Sequence, residues 1–142
     1  MIYFDHSATT PIRAEVLEQM NIVNRDYFAN PSSIYKTGRK SRNLIEKARF
    51  QIATAIGAKS NQIYFSSGGT EANNQVLWTT ANQKNKHVII SSVEHPAISK
   101  VLEKIKPYGV ETSTIPVDDK GIVLTNELMN LIRPNTGLIS IM

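Results

Sequence analysis

Cysteine is absent from all 142 residues of this sequence. Its absence excludes a disulfide framework, a thiolate metal site and a cysteine nucleophile within these residues. No apolar stretch approaches the roughly 20 residues that a membrane-spanning helix needs, and the first residues carry neither the basic nor the apolar region of a secretory signal. With 41% hydrophobic and 20% charged residues, we expect a compact cytoplasmic domain without membrane contact.

The familiar nucleotide-binding loops are missing as well. The sequence has no GxGxxG segment, and no lysine follows Gly68 and Gly69. It has instead a glycine turn at residues 66–71 (SSGGTE), between an apolar run and a helix-like run. Such a junction directs backbone N–H groups and the positive end of a helix dipole at one point, which predicts a phosphate site. The alternative is a tight turn in which Thr70 only caps the helix. Trp78 in that helix is interpreted as a core residue.

A second junction between a strand and a helix contains His95. Residues 88–91 (VIIS) lead to His95, which precedes Pro96 at the first position of another predicted helix. A flat, neutral imidazole there would be available for ring stacking or for acid–base work, whereas the alternative is an ordinary cap or packing residue. Glu94 is interpreted as a helix-start acid. The other two histidines show no ligand spacing with His95, so no metal site is predicted.

The order of apolar and polar residues predicts an α/β fold. Residues 1–60 are expected to form an extended lead-in and two helices, and residues 61–142 a βαβαβαβ core. Strands are predicted at 62–65, 87–90, 110–115 and 137–142, and helices at 71–81, 96–106 and 126–132. This alternation predicts a three-layer αβα domain with a mostly parallel sheet, whose ligands bind beyond the carboxyl ends of the strands. The chain ends in the apolar run 138–142 (LISIM), so we expect a truncated protein.

A long helix is predicted over residues 34–56, closed by Gly57 and capped by a turn at residues 30–33 (NPSS). It contains a cluster of cations with Glu46 as the only acid: Lys36, Arg39, Lys40, Arg42, Lys47 and Arg49. A solvated face is the simpler interpretation, and a surface for tRNA or an acidic partner is the alternative.

Several segments together resemble the cysteine desulfurases, and they are more similar to the NifS/IscS type than to the SufS type. These segments are residues 3–11 (YFDHSATTP), 30–33 (NPSS), 66–71 (SSGGTE), 93–97 (VEHPA) and 140–142 (SIM). Cysteine desulfurases are a branch of the class V aminotransferase group and have the fold type I architecture of enzymes that use pyridoxal 5'-phosphate (PLP). The resemblance implies that residues 1–142 are the N-terminal part of a PLP-binding large domain.

The resemblance also implies roles for particular residues. Gly69 and Thr70 match positions that hold the cofactor phosphate, and His95 matches the histidine that stacks on the pyridine ring and moves protons. The family converts L-cysteine to L-alanine and transfers the sulfur, as an enzyme persulfide, to an acceptor protein for iron–sulfur cluster assembly or tRNA thiolation. Its members are homodimers. The alternatives are another class V enzyme, such as a selenocysteine lyase or an aminotransferase, and a non-enzymatic binding or assembly module that uses the basic helix.

On this resemblance, the lysine that would hold PLP covalently and the cysteine that would accept sulfur match positions beyond Met142. We therefore predict that the purified 142-residue chain neither binds PLP covalently nor forms alanine from L-cysteine. Amino-acid analysis after incubation with PLP and L-cysteine measures the product. Alanine above the level of a protein-free control would contradict this prediction.

Overall fold

The computed structural model describes residues 2–142, which group into two units, residues 2–64 and residues 65–142. The first unit contains α1 (Ala14–Asp26), α2 (Lys36–Ala55) and a short 3-10 helix at Ser60–Gln62. The second unit contains α3 (Gly69–Ala81), β1 (His87–Ser91), α4 (Pro96–Ile105), a 3-10 helix at Lys106–Tyr108, β2 (Glu111–Ile115), α5 (Thr125–Leu131) and β3 (Thr136–Ser140). None of the helices in the described range is both long and apolar enough to span a membrane.

β1 is the central strand of a three-stranded parallel sheet with the order β2-β1-β3. All of its residues are buried, as is typical of a strand that is covered on both faces. His87 pairs with Glu111 on one side and with Thr136 on the other, where the register is irregular. At that irregularity a side chain on Gly137 would collide with the Asn85 carbonyl oxygen, so the close approach requires glycine.

The core of the second unit lies between α3, α4 and one face of the sheet. Trp78 does not belong to it: the side chain is 37% exposed and packs edge-on against Tyr108, with ring centroids 5.4 Å apart. The prediction of a core tryptophan was wrong. The buried residues of α3 are Leu77, Thr80 and Ala81, which share one face of the helix. Trp78 points about 100° away from Leu77 around the helix axis. The buried apolar members are Leu77, Ala81, Val88, Ile90, Ile98, Val101, Leu102, Ile105 and Val110.

The strand predicted over residues 62–65 is absent. Gln62 ends a 3-10 helix, and residues 63–66 join no sheet, although Ile63 has extended angles of φ −98° and ψ 125°. A strand needs a neighbour that exchanges backbone hydrogen bonds with it, and no strand of residues 2–142 pairs with this segment. The Arg49 guanidinium donates to the Ile63 carbonyl. The βαβαβαβ core expected over residues 61–142 is therefore an αβαβαβ arrangement.

The end of α2 agrees with the sequence and its beginning does not. Gly57 has a φ of 68°, and Ala58 N donates to Ala53 O at 2.8 Å, which is the hydrogen-bond pattern of a glycine-terminated helix. Residues 30–33 form a turn in which Ser32 N donates to the Asn30 side chain at 2.9 Å. This turn does not cap the helix, because the N-cap is Tyr35 and no side chain bonds there.

Most cationic side chains of α2 form no ion pair within the described residues. Arg49 bonds to the Glu46 carboxylate at 3.2 Å. The others form no ion pair within residues 2–142 and are exposed: Lys36, Arg39, Lys40, Arg42 and Lys47. A solvated face and a surface for an anionic partner both stay predictions.

His87 is a fully buried residue at the amino end of β1 and links the three strands. Its Nδ1 lies 2.8 Å from Thr136 Oγ1 on β3, and its Nε2 lies 2.9 Å from Ser113 Oγ on β2. Arg133 donates to Ser113 Oγ at 3.3 Å and to Glu111 Oε2 at 2.9 Å. Burial lowers the pKa of His87 most, the charge of Arg133 lowers it further, and Glu111 opposes the shift. The neutral imidazole is the form that this environment stabilises.

We predict that acid destabilises the second unit through His87. Because the folded pKa lies below the unfolded value of about 6.5, the stabilisation by the neutral ring is complete above that pH and is lost as the pH falls through the lowered pKa. Urea unfolding of the 142-residue chain between about pH 8 and about pH 5 measures the effect. His87→Gln should flatten the pH dependence, whereas His6→Gln, at an exposed histidine, should not. The same slope in both variants would contradict the role of His87.

Candidate functional site

The glycine turn leaves the N-terminus of α3 open. The helix begins at Gly69, two residues before the predicted start, with Gly68 as its N-cap. The N–H groups of Gly69, Thr70 and Glu71 have no acceptor within residues 2–142. The first hydrogen bond of the helix runs from Ala72 N to Gly68 O at 3.2 Å. A Cβ on either glycine would meet no described atom within 4 Å. Free amides, open space and a helix dipole together form a site that suits an anion.

Thr70 does not cap this helix, so that interpretation was wrong. Thr70 is the second helical residue, and its exposed hydroxyl forms no hydrogen bond in the described chain. Glu71 closes the turn instead, because its Oε2 accepts from Ser67 N at 2.7 Å and from Ser67 Oγ. The Ser67 hydroxyl, followed by the Ser67 amide, lowers the pKa of Glu71. The amides of Gly69 and Thr70 remain available to a ligand.

Sequence reasoning missed the part that Glu71 plays. The available signal was an acidic side chain at the third helical position, where it reaches back to donors just before the helix. That signal was hidden because the helix was expected to begin at Glu71 itself, two residues too late.

His95 is the N-cap of α4. Its Nδ1 accepts a hydrogen bond from Ala97 N at 3.0 Å, and Pro96 is the first helical residue, as predicted. Since Nδ1 is an acceptor, the proton of the neutral ring lies on Nε2. The side chain is exposed, so the ring is anchored through one nitrogen and presents the other to solvent. The cap interpretation is confirmed, and it is compatible with a ring that contacts a ligand.

Glu94 lies outside α4, which begins only at Pro96. Its Oε1 accepts from Ser91 Oγ, at the carboxyl end of β1, at 2.9 Å. The interpretation of Glu94 as a helix-start acid was therefore wrong, because the first turn of α4 contains no acid and the Glu94 carboxylate bonds to Ser91. The carboxylate stabilises the turn that precedes His95.

The starts of α3 and α4 lie at the same edge of the sheet. α3 has 13 residues, about 20 Å in length, and residues 82–86 join its end to the amino end of β1. α4 follows the carboxyl end of β1 after residues 92–95, and the two helices pack against each other. Because α3 runs opposite to β1, it begins where β1 ends. Thr70 and His95 are thereby brought to the carboxyl edge of the strand, where parallel sheets bind ligands.

Residues 2–142 contain no cluster of three side chains able to bind a metal ion. The similarity of this sequence to known proteins gives more information about the ligand. The sequence pattern described as Aminotransferase class-V covers residues 2–142. The chain belongs to the class V aminotransferase family. PLP is the cofactor of that family.

Individual relatives show which members of the family the chain is similar to. The chain is 46% identical over 144 residues to the cysteine desulfurase IscS of Dictyoglomus turgidum, covering 99% of this chain and 36% of that relative. It is 37% identical over 158 residues to the selenocysteine lyase of Xenopus tropicalis, with 99% and 37% coverage. A solved structure titled NIFS-like protein superposes with a TM-score of 0.94 and 33% identity, over 99% of this chain and 40% of that one.

This class V chain therefore spans little more than a third of the length of these relatives. The superposition confirms the predicted fold, the N-terminal portion of a fold type I large domain. The resemblance to cysteine desulfurases of the NifS/IscS type is likewise confirmed.

We predict that His95→Ala destabilises the start of α4 by about 1 kcal/mol, because alanine cannot accept the Ala97 amide. His95→Asn supplies a side-chain oxygen that is favourable at an N-cap and should retain most of the stability. Urea unfolding of both variants, combined with hydrogen exchange at the Ala97 amide, measures the difference. Unchanged stability and unchanged exchange at Ala97 in His95→Ala would show that the cap contributes nothing.

Proposed function

We propose that these residues form the N-terminal part of the PLP-binding large domain of a cytoplasmic cysteine desulfurase. The whole protein would convert L-cysteine to L-alanine and transfer the sulfur, as a persulfide, to an acceptor protein that serves iron–sulfur clusters or tRNA thiolation. The observation that carries the proposal is the open N-terminus of α3 at the same edge of the sheet as the exposed ring of His95, in a chain that is 46% identical to a cysteine desulfurase. We include the homodimer expected from the sequence in the proposal.

Gly69 and Thr70 would bind the phosphate of PLP. Their backbone N–H groups lack acceptors in residues 2–142 and point out of the helix start, and the Thr70 hydroxyl adds a third donor. The helix dipole favours the negative charge, and the missing side chain of Gly69 leaves room for close approach. The residues present therefore fit the phosphate group. When bound, PLP supplies the electron sink for bond breaking at the substrate.

His95 would stack on the cofactor ring and exchange a proton with the substrate. Its Nδ1 accepts from the Ala97 amide, which fixes the ring at the start of α4. Nε2 is the ring nitrogen that remains available for proton exchange, and in the neutral ring it carries the proton. The same hydrogen bond therefore orients the ring and selects the tautomer.

The native gene product provides the first test, after its intact mass has been compared with the 15.8 kDa of this chain. We predict that Thr70→Val weakens its binding of PLP about tenfold, the effect of losing one hydrogen bond to a charged group. Thr79→Val is the matched control on the same helix, because the Thr79 hydroxyl donates to Gln75 O at 2.7 Å and lies near the other end. Spectrophotometric titration with PLP measures both affinities.

Two results would count against the proposal. Equal PLP affinities for the two valine variants would remove Thr70 from the phosphate site. A parent protein that binds no PLP would overturn the assignment to a cysteine desulfurase.

A selenocysteine lyase is the second candidate. It is supported by the relative from Xenopus tropicalis, which covers 99% of this chain at 37% identity. Formation of alanine from L-cysteine by the native gene product supports the desulfurase, whereas formation of alanine only from L-selenocysteine supports the lyase.

A further inference from the structure

We propose that Glu94 is a positioning residue, which holds the turn carrying His95 through its hydrogen bond to Ser91. This inference rests on the proposed function, because His95 is the group that Glu94 positions. Ser91 is the last residue of β1 and is only 1% exposed. Its Oγ donates to Glu94 Oε1 at 2.9 Å, and Glu94 is half-buried and directly precedes His95.

The turn is connected to all three strands of the sheet. The Ser91 hydroxyl that donates to Glu94 also accepts from Met142 N, beyond the end of β3, at 3.4 Å. Ser92 N donates to the carbonyl of Ile115, the last residue of β2, at 3.0 Å. The start of the turn is thus bonded to the chain segments on both sides of β1. Glu94, at the other end of the turn, bonds back to Ser91.

Two contacts therefore determine where the imidazole lies. The bond from Ala97 N to Nδ1 fixes the ring relative to α4, and the Ser91–Glu94 bond fixes the backbone of the turn relative to β1. Ser91 has one hydroxyl proton to donate, so residue 94 must supply an acceptor. A carboxylate oxygen or an amide oxygen at residue 94 can accept that proton.

A purely electrostatic role for Glu94 makes different predictions. An acid next to the N-cap interacts with the dipole of α4 whether or not Ser91 is present. In that case Glu94→Gln and Glu94→Ala should behave alike, and Ser91→Ala should not affect His95. Positioning instead requires that glutamine, which keeps an acceptor oxygen, behaves like the parent, and that Ser91→Ala and Glu94→Ala fail together.

The experiment compares these variants of the full 142-residue chain with Glu103→Gln, a matched control at an exposed glutamate of α4. Imidazole nitrogen shifts from NMR report the tautomer of His95, and hydrogen exchange reports the Ala97 amide. The parent, Glu94→Gln and Glu103→Gln should each show the Nε2–H tautomer. Ser91→Ala and Glu94→Ala should mix the tautomers and lose about tenfold of the Ala97 protection, which corresponds to about 1.4 kcal/mol.

An unchanged tautomer and unchanged exchange in Glu94→Ala would overturn the proposal, even with a lower unfolding midpoint. Should Ser91→Ala not fold, the glutamine and alanine variants of Glu94 still decide between the two roles. PLP titration of the native gene product separates this inference from the proposed function. Mixed tautomers of His95 in Glu94→Ala would support positioning even if the native gene product binds no PLP. That second result would overturn only the desulfurase assignment.

Discussion

The parallel pairing of β1 with β2 and β3 is the interaction on which the second unit depends. All five residues of β1 are buried, so both backbone edges and both faces of the strand are in use. Val88 and Ile90 face the core formed with α3 and α4. Because those helices pack on this strand and connect to its two ends, the position of β1 determines where Thr70 and His95 lie.

The two ends of β1 differ in how their polar groups are satisfied. At the amino end, the His87 ring has a hydroxyl partner on each neighbouring strand, and Arg133 contacts that network. At the carboxyl edge, the amides at the start of α3 have no acceptor within residues 2–142. Unsatisfied donors are tolerated in exposed positions and are costly in buried ones. The exposed amides at the start of α3 therefore need no partner in the chain and are accessible to an anionic ligand.

Local sequence signals predicted the positions of most helices and strands. β1, α4 and β3 have boundaries within two residues of the prediction, and Gly57 closes α2 as expected. Errors arose where a distant partner decides the outcome. Residues 62–65 have the composition of a strand but no pairing strand in the described chain. Glu94 is an error of another kind, because its partner Ser91 is only three residues away, at the end of a strand.

The sequence by itself determined the family, the alternation of strands and helices, and the residue types at both junctions. It did so because turns, caps and apolar periods act over a few neighbouring residues, and because the family segments keep their order and spacing. Only the tertiary structure decided that the starts of α3 and α4 share one edge, and that residues 62–65 pair with no strand of the described chain. The pairing of a strand depends on which distant segments lie beside it, and the common edge depends on the packing of α3 and α4 against β1. Sequence spacing alone does not specify either.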